Sequence, residues 1–142
     1  MSLLEKAIAI AVEAHHGKKD MGGAPYILHP LRVMFRVNTD EEKIVAALHD
    51  VVEDHGDVWP MKRLRKAGFS KRILKALDCV TKREGEAYEK YVKRSASNPI
   101  ALKVKLADLE DNMDVRRYSK VTKKDRDRLN RYLAAYRFLR GF

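Results

Sequence analysis

Residues 44–54 read Ile44-Val45-Ala46-Ala47-Leu48-His49-Asp50-Val51-Val52-Glu53-Asp54, an apolar run that takes on four ionisable side chains within six residues. Asp40 can cap a helix from there through about Asp54, and a helix apolar nearly all round is a buried one. At about 100° per residue, positions 49, 50, 53 and 54 fall at roughly 0°, 100°, 40° and 140°, so all four project from one side. Neighbouring carboxylates in an apolar setting repel and resist ionisation unless a cation neutralises them. The alternative is structural, with His49 in a core hydrogen bond and Glu53 and Asp54 on a solvated helix end.

Working outward, the remaining periods are also helical. Leu3, Leu4, Ala7, Ile8, Ala11 and Val12 mark an amphipathic helix over 3–14. Gly22, Gly23 and Pro25 interrupt the chain, and Pro30 fits the first position of a helix through about Val37. The residue before a proline is disfavoured in the helical region, so His29 is expected semi-extended at the mouth of that helix. Helices follow at roughly 61–66, 71–80 and 86–96, broken by Gly56, Gly68 and Gly85. Asn98-Pro99 opens another carrying IALKVKLADLEDNM, and the last runs over about 123–139 with Leu129, Tyr132, Leu133, Tyr136 and Leu139 aligned. Trp59 before Pro60 reads as a staple at a helix start. No strand-like alternation or repeat is present, so the chain reads as all-α, one irregular helical bundle over residues 1–142.

A second buried-looking helix repeats the anomaly of the first: Asp108 and Asn112 stand i, i+4 behind the apolar run VKLA. His29 adds another imidazole. Two imidazoles and two carboxylates, from His29, His49, Asp50 and Asp108, form a site suited to a first-row divalent metal rather than to an all-oxygen magnesium or calcium cage. Four protein donors leave positions open on an octahedral ion. Taken singly, Asp108 could be a cap or a lysine partner, and His29 a hydrogen-bonded structural residue.

The chain carries 30 Lys and Arg against 20 Asp and Glu, a formal charge of +10. Such a field attracts nucleotides, phosphates or nucleic acid without choosing among them. No apolar run approaches the roughly 20 residues of a membrane span, and the N-terminus reads as a folded helix rather than an export signal. One cysteine, Cys79, forms no internal disulfide, which favours a reducing cytoplasm.

The segments PYILHP, AALHDVVED and VKLADLEDN, in that order and across nearly the whole chain, resemble the hydrolase domain of SpoT-type alarmone hydrolases in the HD phosphohydrolase superfamily, in particular stand-alone small alarmone hydrolases. The resemblance implies that His29, His49, Asp50 and Asp108 hold one divalent metal ion, usually manganese. It implies that Glu53 and Asp54 are the catalytic acidic pair, their division of labour open, and that Asn112 contacts substrate. The implied reaction, a phosphoric diester hydrolysis, removes the 3′ diphosphate of guanosine 3′,5′-bis(diphosphate) as pyrophosphate, the chemistry that ends a stringent response. No length remains for a synthetase domain.

Lys18 and Lys19 are candidate phosphate contacts, or simply a solvated basic turn. They overlie an Arg-Lys region in some family members, and an ammonium does not stack on a base as a guanidinium does, so guanine against adenine stays open. Arg128 and Tyr132 match an Arg and Tyr pair that contacts the nucleotide, although Tyr132 also falls on an apolar stripe. Lys103 and Lys105 flank Asp108 and can tune its field. His15, His16 and His55 have no evident partner. A small-molecule nucleotide is the expected partner, with no membrane, nucleic acid not the main ligand, and a homo-oligomer open. The competing readings are an HD phosphohydrolase for an adenine alarmone or a nucleoside monophosphate, and a basic nucleotide- or RNA-binding module.

Overall fold

Three helices open on capping boxes, in which a hydroxyl accepts the third helical N–H and the acidic side chain at that position accepts back from the cap N–H. Ser2 and Glu5 start α1 (Leu3–Ala14), Thr39 and Glu42 start α3 (Asp40–Leu48), and Thr122 and Asp125 start α9 (Lys123–Arg140). Ser70 caps α6 (Lys71–Cys79), and Asn98 with Pro99 opens α8 (Pro99–Asn112) as its sequence indicates. The others are α2 (Leu28–Phe35), α4 (Val51–His55), α5 (Met61–Lys66) and α7 (Tyr88–Ala96), with a 3-10 turn at Val115–Arg117. The computed structural model describes all residues from Met1 to Phe142 and contains no strand, only an isolated bridge between Lys19 and Pro25. No helix is long and apolar enough to cross a membrane.

Helix α3 lies at the centre, packed against α1, α2, α6 and α8. Ile44 to Leu48 and Val51 are buried, so this stretch supplies the middle of the main core. A separate small cluster of Val92, Leu109, Ala135 and Leu139 anchors α9 across α7 and α8. Trp59 is buried just before α5, with Arg63 stacked over its ring at 3.6 Å.

Four expectations from sequence change here. Thr39, not Asp40, is the cap, because its hydroxyl reaches the Glu42 N–H at 3.1 Å. The stretch 40–54 is two helices, not one: α3 ends at Leu48, and His49 and Asp50 form a turn before α4, with Asp50 at φ −101°, ψ −6°. Helix α2 begins at Leu28, so His29 is helical and Pro30 sits inside the first turn, where its missing N–H has no intrahelical partner to lose. Finally, the inward face of α9 carries Ala135 and Leu139 while Leu133 is exposed, which turns Arg128 and Tyr132 toward the body of the protein.

Candidate active site

The break after α3 is what brings His49 and Asp50 to the same point as His29 from α2 and Asp108 from α8. His49 Nδ1 lies 2.6 Å from the Ala46 carbonyl, which only accepts, so Nδ1 carries the proton and Nε2 presents a lone pair. His29 is fixed likewise: its Nδ1 donates to the buried Asp111 carboxylate at 2.7 Å. The two Nε2 atoms then face each other at 3.2 Å. Asp108 Oδ1 stands 3.0 Å from the first and 3.2 Å from the second, and Asp50 Oδ2 at 3.6 and 3.2 Å.

Such a convergence of electron-pair donors calls for positive charge at its centre. Burial alone would favour a neutral His49, but Asp50 and Asp108 outweigh it and lift its proton affinity well above the ordinary range. Burial likewise opposes the charge on Asp108, yet Lys105, His49 and His29 hold its carboxyl well below the usual range. Donors about 2.1 Å from one ion stand roughly 3.0 Å apart at octahedral angles and 3.5 Å apart at tetrahedral ones. The separations of 3.0 to 3.2 Å fall in that interval and only the 3.6 Å between His29 and Asp50 lies just beyond it, so the donor set fits a divalent metal, and His29, His49 and Asp50 form a group able to hold one.

The surrounding residues were less legible in the sequence. Lys105, buried and over the Tyr91 ring, donates to Asp108 Oδ2 at 2.9 Å, and Asn112 donates to Asp108 Oδ1 at 3.1 Å. Tyr26 OH donates to Asp50 Oδ2. Asp111 is gripped by Arg32 through two bonds of 2.7 and 3.0 Å, while Arg117 binds its backbone carbonyl at 2.8 Å. Tyr26 three residues before His29, and Asp111 three after Asp108, were the only signals.

A cavity of about 570 Å³ opens over the cluster. Glu53, Asp54, Asn112, Arg128 and Tyr132 all line it, joined by Lys82 and Arg131, which sequence reasoning missed. Glu53 accepts a hydrogen bond from the Lys82 N–H at 2.8 Å. Burial, seconded by Asp50 and Asp54, raises its carboxyl above the ordinary range against that bond. Asp54 is paired with Lys18 at 2.9 Å, and the same ammonium lies 3.9 Å from the Tyr26 ring centre. Lys18 and Lys19 line not the main cavity but an adjoining lobe of about 200 Å³, shared with Arg117 and Tyr118.

Behind Tyr26, His15 is buried with both ring nitrogens unpartnered, its ring 4.9 Å from that of Tyr26 and 5.1 Å from that of His55. Burial pushes its pKa down to about 4. The unfolded chain, titrating near 6.5, therefore binds more protons on acidification, and stability falls as pH drops through that interval. Between pH 7 and 5 the loss from this one group is about 2 kcal/mol. A His15→Phe variant is expected to show a correspondingly flatter melting temperature between those pH values.

No family model matches the chain. Among curated proteins it is similar to the guanosine-3′,5′-bis(diphosphate) 3′-pyrophosphohydrolase of Aquifex aeolicus, 33% identical over 78% of this chain and 17% of that protein. It is also similar to the bifunctional (p)ppGpp synthase/hydrolase RelA of Mycobacterium tuberculosis, 32% identical over 83% and 17%. The GTP pyrophosphokinase of Streptomyces coelicolor is 34% identical over 87% and 16%. The chain thus spans about a sixth of the length of these relatives. Among solved structures, a metazoan ortholog of SpoT that hydrolyzes ppGpp shares the fold, with a TM-score of 0.78 at 22% identity over 99% of this chain and 87% of that one.

Proposed function

Because the chain belongs to the SpoT-type HD hydrolase-domain family, we propose that it is a manganese-dependent hydrolase removing the 3′ diphosphate of guanosine 3′,5′-bis(diphosphate) in the cytoplasm. The observation that carries the reading is the pair of imidazole Nε2 lone pairs, 3.2 Å apart, closed over by Asp50 and Asp108. His29, His49, Asp50 and Asp108 would hold the ion, and their mixed nitrogen and oxygen donors suit manganese. When bound, the metal supplies Lewis acidity, polarising a phosphoryl oxygen and acidifying water.

The chain's own residues do the rest. Water attacks the phosphorus attached to the 3′ oxygen, that P–O bond breaks, and pyrophosphate leaves with GDP as the other product. Glu53 and Asp54 line the cavity where they can orient the water, take its proton and return one to the 3′ oxygen. Lys82, Arg128 and Arg131 offer cations to the phosphate chain, and Asn112 bridges the Asp108 carboxylate to the cavity. In the side lobe, Lys19, Arg117 and Tyr118 present a cation, a planar guanidinium and an aromatic ring to the nucleoside.

The test is a panel of purified nucleotides with manganese: guanosine and adenosine 3′,5′-bis(diphosphates), and nucleoside monophosphates. Pyrophosphate from the guanosine compound is the expected result, and release from none of the 3′ diphosphates overturns the reading. Preference for the adenosine compound would reassign the base while keeping the chemistry.

Asp111 gives a second expectation. Its carboxylate fixes the tautomer and direction of His29 from outside the ligand set, and losing such a support weakens metal binding by about 10–100-fold. Manganese titration of Asp111→Asn should show that loss. An unchanged affinity would confine Asp111 to holding Arg32 and Arg117.

A further inference from the structure

Residues 61–77, MKRLRKAGFSKRILKAL, contain seven cations and no acid. Their apolar residues Leu64, Phe69, Ile73, Leu74, Ala76 and Leu77 are buried, so packing of α5 and α6 sorts all seven cations onto the solvent side. Two are engaged within the protein: Arg72 pairs with Glu41 at 3.2 Å, and Arg63 stacks on Trp59 and donates to the Val58 carbonyl. Lys62, Arg65, Lys66, Lys71 and Lys75 make no ion pair. Elsewhere Arg32, Arg94, Arg117 and Lys105 are each matched to a carboxylate.

The placement runs against local helix energetics. Helices α1, α3 and α9 carry acids in their first turns, the favourable arrangement for the helix dipole. Helices α5 and α6 carry none, and Lys62, Arg63, Lys71 and Arg72 stand there instead. Lys62 with Lys66, and Lys71 with Lys75, add like-charge pairs at i, i+4. Arg65 and Lys66 suit the last turn of α5, but the first-turn cations and the like-charge pairs oppose folding, and a sequence that breaks local rules in one place points to a use there. Substrate binding is not that use, since no residue of 61–77 lines the catalytic cavity or its side lobe.

We infer that the solvent face of α5 and α6 binds the phosphate backbone of a nucleic-acid duplex. A protein partner fits less well, because interface centres are built on exposed aromatic and apolar anchors and are poor in lysine. None of the exposed large apolar residues lies in this segment. The same lack of exposed aromatic rings argues against single strands, whose bases stack on such platforms. An exposed surface rich in lysine and arginine matches sequence-independent backbone contact.

The test is fluorescence anisotropy of labelled RNA and DNA duplexes with the full chain, beside anionic lipid vesicles and polyglutamate as competing polyanions. With five uncompensated cations, raising salt from about 50 to 200 mM should weaken duplex binding about 500-fold. The variant K62E/R65E/K71E/K75E should lose duplex binding by about 100-fold or more at low salt while its pyrophosphate release stays unchanged. Its serine counterpart should lose an intermediate amount, which keeps the comparison valid if charge reversal perturbs folding. Asp50→Ala should bind the duplex as the parent does. Salt-insensitive binding, affinity that survives both sets of substitutions, or tighter binding of vesicles or polyglutamate than of either duplex overturns the inference.

Discussion

Asp50→Ala is expected to lose metal and hydrolysis together, with kcat/KM falling by about a thousandfold or more, because Lewis-acid stabilisation is worth several kcal/mol and each 1.36 kcal/mol is a factor of ten. Asp50 would contribute a formal charge to the ion; it sits 3.2 Å from His49 Nε2 and accepts the Tyr26 hydroxyl. Removing it leaves two neutral imidazoles and one carboxylate already committed to Lys105 and Asn112. Elemental analysis of the purified variant and pyrophosphate release read the two losses separately, and Asp50→Asn keeps the shape while removing the charge. Partial recovery at high manganese would assign the defect to binding. Full activity in Asp50→Ala would falsify the ligand set. The basic-module reading, by contrast, expects no catalysis to lose.

The candidate ligands stood out because ionisable groups at 49, 50 and 108 follow the apolar runs IVAAL and VKLA, where burial is expected. Glu53 and Asp54 followed from the same stretch, although the single helix assumed for 40–54 breaks at His49 and Asp50. Local propensity gives no warning of that break. His49 closes a local bond back to the Ala46 carbonyl, and Asp50 turns toward Tyr26 and the imidazoles, so the break is held by one local bond and by tertiary contacts. Lys105 was named as a tuner of Asp108, whereas Asp111 and Tyr26 were harder still. A charged residue on a helix is exposed by default, and only the crossing of α2 and α8 buries Asp111 beneath Arg32 and brings it to His29. For Tyr132 the choice between core and site was a false one: half-buried on the stripe that anchors α9, it also lines the cavity.

Glu53→Gln is expected to keep its metal while kcat falls by about 10²–10⁴-fold, the usual range for a missing general base. Two features separate Glu53 from its neighbour. Its only hydrogen-bond partner in the site is the Lys82 N–H, and burial with the nearby Asp50 and Asp54 raises its proton affinity, the direction that suits a proton acceptor. Asp54 instead faces the Lys18 ammonium at 2.9 Å, an arrangement that suits it to orient water and substrate. As a general base Glu53 would work deprotonated, so kcat/KM of the parent should fall as pH drops through a value above the ordinary glutamate range. Glu53→Gln should lose that acid limb along with the rate. Asp54→Asn should retain the limb, lose less in kcat and raise KM as Lys18 is released from its pair. If the limb persists in Glu53→Gln and disappears in Asp54→Asn, the proton acceptor is Asp54. If Glu53→Gln loses its metal, the carboxylate acts within the ligand set, and the raised proton affinity reflects the demand for a cation that the two imidazoles already make.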